Sequence, residues 1–278
     1  MKKEEIEQKI RAGRAFITDY PEYDEGDYLT DQYLHLPQPP LVKAAMRDKS
    51  EQVQLPTDFD TLKIDDDFLH VINSRRSHRV YTEEPVSLTT LSYLLWCTQG
   101  IKEIRGRSYA TIRTVPCGGA RHEFETYMIV RRVEGLAPGL YHYLPMNHSV
   151  ELLRAEDDDA MKEEISVSLC EQSWASKADV VFYYSSVHYR AEWRYGIHAH
   201  RVMLIDAGHI TENLYLASTS LGLGGCAVAA VDIPYSNKLF GLDGAEETIF
   251  YSMPVGTIKP EDEQKEQDFY AFVKEEGL

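Results

Sequence analysis

LGLGGCAVAAVD, residues 221–232, decides the fold. Gly222, Gly224 and Ala227 formally satisfy G-x-G-x-x-G/A, the dinucleotide fingerprint, and accepting it would imply a doubly wound parallel sheet. That fingerprint requires a strand, then the glycines, then the start of a helix. Here the order is reversed. Met203, Ala207, Ile210, Leu214, Ala217 and Leu221 recur at spacings of four and three, the stripe of a long helix over about 197–221. Gly222 stops that helix, and the small-residue run that follows reads as a core strand, CAVAAVD. Ala227, Val228, Ala229 and Ala230 leave the backbone open, so a flat ring could lie against it. Val202, Leu204 and Ile205 make the helix apolar on most sides, as suits a core or a subunit interface.

Outward from this stretch, strands and helices mix without βαβ regularity. TYMIVRRV, GLYHYLP and SVELLR, with the Ala137-Pro138-Gly139 corner, form a β-meander. ADVVFYYSSV is nearly continuous apolar and is predicted to be a central strand; YSMPVGTI is a second late strand. AEDDDAMKEEISVSLC reads as a helix with its acids at the favourable N-terminal end. Ser87 caps a helix LTTLSYLLWCTQ closed by Gly100, and Asp66 is expected to cap a helix carrying Phe68, Leu69, Val71 and Ile72. Residues 106–124 read as a loop, and a charged tail helix spans about 261–276. The class is α+β. Residues 1–64, with a polar helix at about 3–16 and the proline-rich DYPEYDEGDYLTDQYLHLPQPP, are expected to form an N-terminal arm or dimer-wrapping extension; the compact domain is 65–278.

The chain has 278 residues and a formal net charge of −16, which disfavours nucleic acid as a partner. No apolar run approaches the roughly 18–20 residues of a spanning helix, and no apolar leader opens the chain, so a cytoplasmic protein without membrane contact is expected. Cys97, Cys117, Cys170 and Cys226 are far apart, so neither a disulfide framework nor a metal site is read from them. His198 and His209 lie about three helical turns apart, too far for one ion.

Against this acidic background, INSRRSHRVY, residues 72–81, concentrates Arg75, Arg76 and Arg79 beside Ser77. Guanidiniums and a hydroxyl at this spacing suit one compact anion such as a phosphate, although arginines can also simply complement a helix C-terminus. Pro116-Cys117-Gly118-Gly119 lets backbone approach a ligand closely, and a cysteine near Arg121 raises the question of an activated thiol. Trp193-Arg194-Tyr195-Gly196 offers Tyr195 for proton transfer.

In this order the motifs Arg75-Arg76-Ser77-His78-Arg79, TVPCGGARHEFETY, RYGIHAHRVMLIDAGHITENLYLAS, LGLGGCAVAAVD and PVG resemble the FMN-dependent nitroreductase superfamily, and within it the SagB-type branch of azoline dehydrogenases. The resemblance covers about residues 65–258. It implies a mixed β-sheet flanked by helices, an intertwined homodimer with FMN at the interface, and hydride transfer between a small-molecule or peptide substrate and flavin N5. It assigns Arg75, Arg76, Ser77 and Arg79 to the FMN phosphate and ribityl chain, and Pro116, Cys117, Gly118, Gly119 and Ala227 to Ala230 to the flavin. Lys259 is placed for a further phosphate contact. Tyr195 and Arg194 are the expected catalytic pair. Two positions depart from the family pattern: Cys117 stands where serine is usual, and Arg194 where the azoline dehydrogenases carry lysine. Arginine stays protonated and cannot be a general base as lysine can, but it can orient a carboxylate or stabilise an anion. The alternatives are a nitro- or quinone-reductase using NAD(P)H as reductant, and a non-catalytic, flavin-free partner in a peptide-modifying complex.

Overall fold

The computed structural model describes residues 2–18, 29–268 and 270–277; most of the proline-rich arm is included, but its first part, residues 19–28, lies outside the described residues. The strands are β1 (Gln52–Gln54), β2 (Val86–Ser87), β3 (Ile101–Arg105), β4 (Ala110–Arg113), β5 (Phe124–Val130), β6 (Val133–Glu134), β7 (Gly139–Leu144), β8 (Ser149–Ala155), β9 (Val180–Val187), β10 (Leu223–Gly225) and β11 (Glu247–Thr257). The helices are α1 (Lys3–Thr18), α2 (Phe68–Ser74), α3 (Leu88–Gln99), α4 (Asp158–Ser168), α5 (His188–Tyr195), α6 (Ala199–Ser220), α7 (Ile233–Phe240), α8 (Glu263–Asp268) and α9 (Ala271–Glu275).

One seven-stranded sheet, in the order β1-β8-β7-β5-β9-β11-β10, forms the centre. The α+β class is as expected. The expected mixed sheet is corrected: every pairing in it is antiparallel, and among the described residues the parallel pairing of two named strands is the short β2–β6 pair outside it. Strand alternation explains why β5 and β9 read as continuous apolar runs. Phe124, Met128 and Val130 of β5 join Phe182 and Tyr184 of β9 in one core with Leu91, Leu95, Met203, Ile210 and Leu214 of α3 and α6. Tyr127 and Ile129, with Val181 and Tyr183, face the other way, into a core with Met161, Ile165 and Phe240 of α4 and α7. Both faces are therefore covered by helices.

Several boundaries differ from the sequence reading. Ser87 caps α3 as expected, accepting from the Thr90 amide at 3.0 Å, but Asp67 rather than Asp66 caps α2, accepting from the His70 amide at 3.0 Å. The loop predicted over 106–124 contains β4, which forms a hairpin with β3 around the Gly106 turn. CAVAAVD is not a strand beyond Gly225; Val228 is held by a lone bridge to Ser252, and the chain turns into α7, which the sequence reading missed together with α5. The tail helix is two short helices.

The boundary expected at residue 65 does not coincide with a break in packing. β1 extends the sheet along β8, and Leu55 is buried in the core. Upstream, the Lys43 amide donates to Glu125 at 2.8 Å, and its ammonium reaches Tyr127 Oη at 2.7 Å and Glu247 at 2.5 Å. The Met46 and Arg47 amides donate to Glu151 at 2.8 and 2.7 Å. This part of the arm wraps its own chain. The buried acids it meets are compensated from below: Glu125 pairs with Arg190 at 2.6 Å, and His142 lies between Glu125 and Glu151.

Candidate active site

Two clusters gather the residues singled out by sequence. The first forms where α2 ends. Ser77 bridges to Gly225, and the His78 amide donates to the Gly225 carbonyl at 2.9 Å. A Cβ on Gly224 would come within 2.6 Å of the His78 Cβ, so the arginine turn and the 222–225 turn pack this closely because that position is glycine. Ser77 Oγ lies 3.1 Å from Tyr215 Oη, which also accepts from the Ala227 amide at 2.7 Å. Tyr215 thus ties the arginine turn to the small-residue segment.

These contacts wall a cavity of about 860 Å³ lined by Arg75, Arg76, Ser77, Gly222 and Lys259, among others. Its size is that of a cofactor site. The Arg75 guanidinium lies 5.2 Å from the Tyr215 ring centre, and the Lys259 ammonium pairs with Glu84 at 2.6 Å. Arg79, by contrast, is not in the cavity wall. It donates to Tyr270 Oη at 2.7 Å and sits 5.7 Å from the Trp174 ring centre. Its amide and that of Val80 donate to Glu266, which lines the cavity from α8. Tyr215 and Glu266 carried no recognisable sequence signal: one lies on an otherwise apolar helix, the other in a tail dense in charge.

The second cluster forms where the Pro116–Gly119 loop meets α5 and α6. The Gly118 amide donates to Asp206 of α6 at 2.9 Å. Gly119 has φ +56°, and a Cβ there would stand 2.4 Å from Arg194 Nε and 2.8 Å from Tyr195 Oη. Tyr195 and Arg194 are thereby pressed against the loop. Arg194 donates to Gln32 of the arm at 3.0 Å and to Tyr109 Oη at 3.1 Å. Arg121 lies 4.9 Å from the Tyr109 ring centre and donates to the Gly119 carbonyl at 3.0 Å. Against slight burial, the Gln32 hydrogen bond and the charges of Arg194 and Arg121 hold the Tyr109 phenol below its usual range. Tyr109 and Gln32 were not found from sequence because they reach the site from distant segments.

Cys117 is no activated thiol. Burial pushes its pKa up, and the nearby Glu123 and Asp206 carboxyls push it further. It donates to Glu123 at 3.3 Å and accepts from the His122 amide at 3.0 Å. In the 227–230 segment, Val228 is buried and exchanges both backbone hydrogen bonds with Ser252, at 2.7 and 3.1 Å, so its backbone is spent. Ala229 and Ala230 are exposed, and Ala227 is half-buried.

Gly119→Ala is expected to displace Arg194 and Tyr195, because both the added methyl and the positive φ oppose the substitution. Turnover should fall at least about tenfold with the first cavity unaffected; steady-state kinetics beside a cofactor-retention measurement checks this.

Residues 72–257 match the nitroreductase family, and the chain belongs to it. A candidate nitroreductase of Methanocaldococcus jannaschii is 32% identical over 205 residues, spanning 74% of this chain and 96% of its own length. The trifolitoxin-processing protein TfxB of Rhizobium leguminosarum bv. trifolii is 31% identical over 113 residues, 40% of this chain and 30% of that one. Among solved structures, a candidate nitroreductase from Ralstonia eutropha JMP134 superposes with TM-score 0.61 at 24% identity, covering 81% of this chain and 99% of its own. A chain of the Escherichia coli microcin synthetase McbBCD complex, solved with truncated pro-MccB17 bound, superposes with TM-score 0.55 at 15% identity, covering 91% of this chain and 92% of its own. At these identities the superpositions establish the fold. Nitroreductase-family proteins generally use a flavin cofactor and are commonly dimers. Among the described residues no helix is long and apolar enough to cross a membrane.

Proposed function

We propose that the chain is an FMN-dependent oxidoreductase of the SagB type that moves hydride between a small-molecule or peptide substrate and flavin N5. The observation that carries this reading is the cavity in which Arg75, Arg76, Ser77 and Lys259 converge in a strongly acidic protein. This donor set fits a phosphomonoester: two guanidiniums offer planar, charge-assisted hydrogen bonds, and the ammonium adds a point charge. FMN, when bound, supplies the two-electron chemistry. Pro116 to Gly119, and Ala227, Ala229 and Ala230 but not the buried Val228, are proposed to face its ring system, the former from the partner subunit of a homodimer.

The chain's own residues then position and protonate. Tyr195 Oη gives or takes the substrate proton. Arg194, braced by Gln32 and Tyr109, orients an anionic group of the substrate and stabilises charge beside Tyr195. For the dimer, Ile197, Leu204 and Ile205 on and before α6 are 48%, 55% and 60% exposed, a surface suited to a second copy. Arg201 Nε on the same helix donates to the Phe16 carbonyl of α1 at 2.8 Å, so α1 at the head of the 1–64 arm is proposed to extend this interface. A cytoplasmic, membrane-free setting is part of the proposal.

The peptide substrate rests on the names of two similar proteins, one that processes trifolitoxin and one from a microcin synthetase. The test is anaerobic stopped-flow mixing of the flavin-loaded protein with NADPH and, separately, with an azoline-bearing peptide. Bleaching of the visible flavin band by the peptide alone supports the dehydrogenase. Rapid bleaching by NADPH alone makes the protein a nicotinamide-dependent reductase.

A further inference from the structure

Beneath the Cys117–Gly119 loop, Glu123 and Asp206 lie buried side by side, at 0% and 3% exposure. Two adjacent carboxylates in a low-dielectric setting need either a shared proton or a compensating positive charge, and burial together with Asp206 raises the Glu123 carboxyl above its usual range. Elsewhere in this protein such acids have a positive partner: Glu125 has Arg190, Asp179 has Arg132 and Glu247 has Lys43. Among the described residues, Glu123 makes no ion pair. Asp206 approaches only a histidine, His209, whose Nδ1 lies 3.3 Å away. The Cys117 thiol completes the group, and one ligand atom from each of the three residues lies within 4.8 Å of the other two.

Two further atoms are left unsatisfied. Glu123 Oε1 is buried and has no hydrogen-bond partner. Gln99, 2% exposed, packs beside Cys117, His122 and Asp206 around a void too small for a water molecule, and its Nε2 is likewise buried without a partner. Arg113 donates to Gln99 Oε1 at 2.7 Å, which fixes the amide with its NH₂ as the group left over. The unpartnered Glu123 oxygen is satisfied by a cation bound directly to it.

We propose that Cys117, Glu123 and Asp206 form a binding site for one divalent first-row metal ion, with Zn²⁺ preferred. One sulfur and two carboxylate oxygens suit zinc's borderline softness, while Mg²⁺ and Ca²⁺ would leave the sulfur unused. At Zn–S and Zn–O bond lengths of about 2.3 and 2.1 Å, tetrahedral ligands lie roughly 3–4 Å apart, so the three atoms would close by up to about 2 Å. Binding releases the thiol proton as the thiolate forms. Because Asp206 also accepts from the Gly118 amide, an ion here would fix the loop that carries Gly119 against Tyr195. The three residues come from a loop, the position just before β5 and a helix far along the chain, which is why no ligand spacing is visible in the sequence.

The test is metal analysis of the full-length protein after Zn²⁺ loading and removal of excess, with affinity read by competition against a chromogenic chelator. The expected result is about one zinc per chain in the wild type and in Cys170→Ala, which removes the exposed thiol. Glu123→Gln should retain under about a tenth of that zinc, and Cys117→Ser should bind at least about tenfold more weakly. Both substitutions are near isosteric, and Glu123→Gln removes a buried charge, so both should fold. No zinc above background in the folded wild type overturns the proposal and leaves a proton shared by the acid pair. Zinc that survives both substitutions, or is lost in Cys170→Ala, overturns it equally by placing the metal elsewhere.

Discussion

Tyr195→Phe retains FMN and loses turnover by about 100-fold or more, the scale of a lost general acid or base. The geometry isolates this effect. The Tyr195 hydroxyl stands at the Gly119 loop, outside the cavity lined by Arg75, Arg76, Ser77 and Lys259, so its removal leaves anion binding intact. Arg194→Lys then separates two roles. If Arg194 serves only as a fixed charge, lysine loses the bracing from Gln32 and Tyr109, and KM rises while kcat changes less. Steady-state kinetics with an oxidisable azoline peptide measures both. Undiminished kcat in Tyr195→Phe removes the tyrosine from the mechanism.

Arg75→Ala combined with Lys259→Ala weakens FMN binding by roughly 100-fold, most of it from the charge-assisted Arg75 contact, because Lys259 is exposed and paired with Glu84. Fluorescence titration of the apoprotein with FMN measures it, and riboflavin, which lacks the phosphate, should bind the variant and the wild type alike. Arg79→Ala behaves differently. Its guanidinium is committed to Tyr270 and the Trp174 face, so any loss reflects a loosened arginine turn and should affect riboflavin as well. Equal FMN affinity in wild type and double variant would detach the cavity from the phosphate.

The central strands and their helices were legible because apolar runs mark β5 and β9, and spacings of three and four survive in α3, α4 and α6. The order of helix, glycines and strand at 221–225 was enough to reject a dinucleotide fold. Helices α5 and α7 were missed for opposite reasons: HYRAEWRY is polar with one buried edge, and IPYSNKLF opens on a proline. The mixed sheet was what the family resemblance implied; hydrophobic pattern reports burial rather than strand direction, so nothing in the sequence itself spoke for or against the antiparallel pairing that the structure shows. Ala227 to Ala230 looked like a strand because small β-compatible residues are equally at home in an extended connection.

The site was legible as a set of motifs but not as a geometry. Arg75, Arg76, Ser77 and Lys259 share one cavity, whereas Arg79 does not, and three arginines within five positions gave no hint which would turn away. Gln32, Tyr109, Tyr215 and Glu266 enter from remote segments and were invisible without the fold. The Arg194–Tyr195 pair and the Gly119 loop were singled out separately; only the structure shows that the glycine exists to let the pair approach.

The central claim is that the arginine cavity holds the phosphate of FMN. The most direct measurement is the visible absorption spectrum of the purified protein, followed by release and chromatographic identification of the chromophore. Flavin bands are expected, with FMN rather than FAD or riboflavin in the released fraction, near one per chain. A colourless protein that takes up no added FMN would contradict it and leave the fold as a scaffold for a partner.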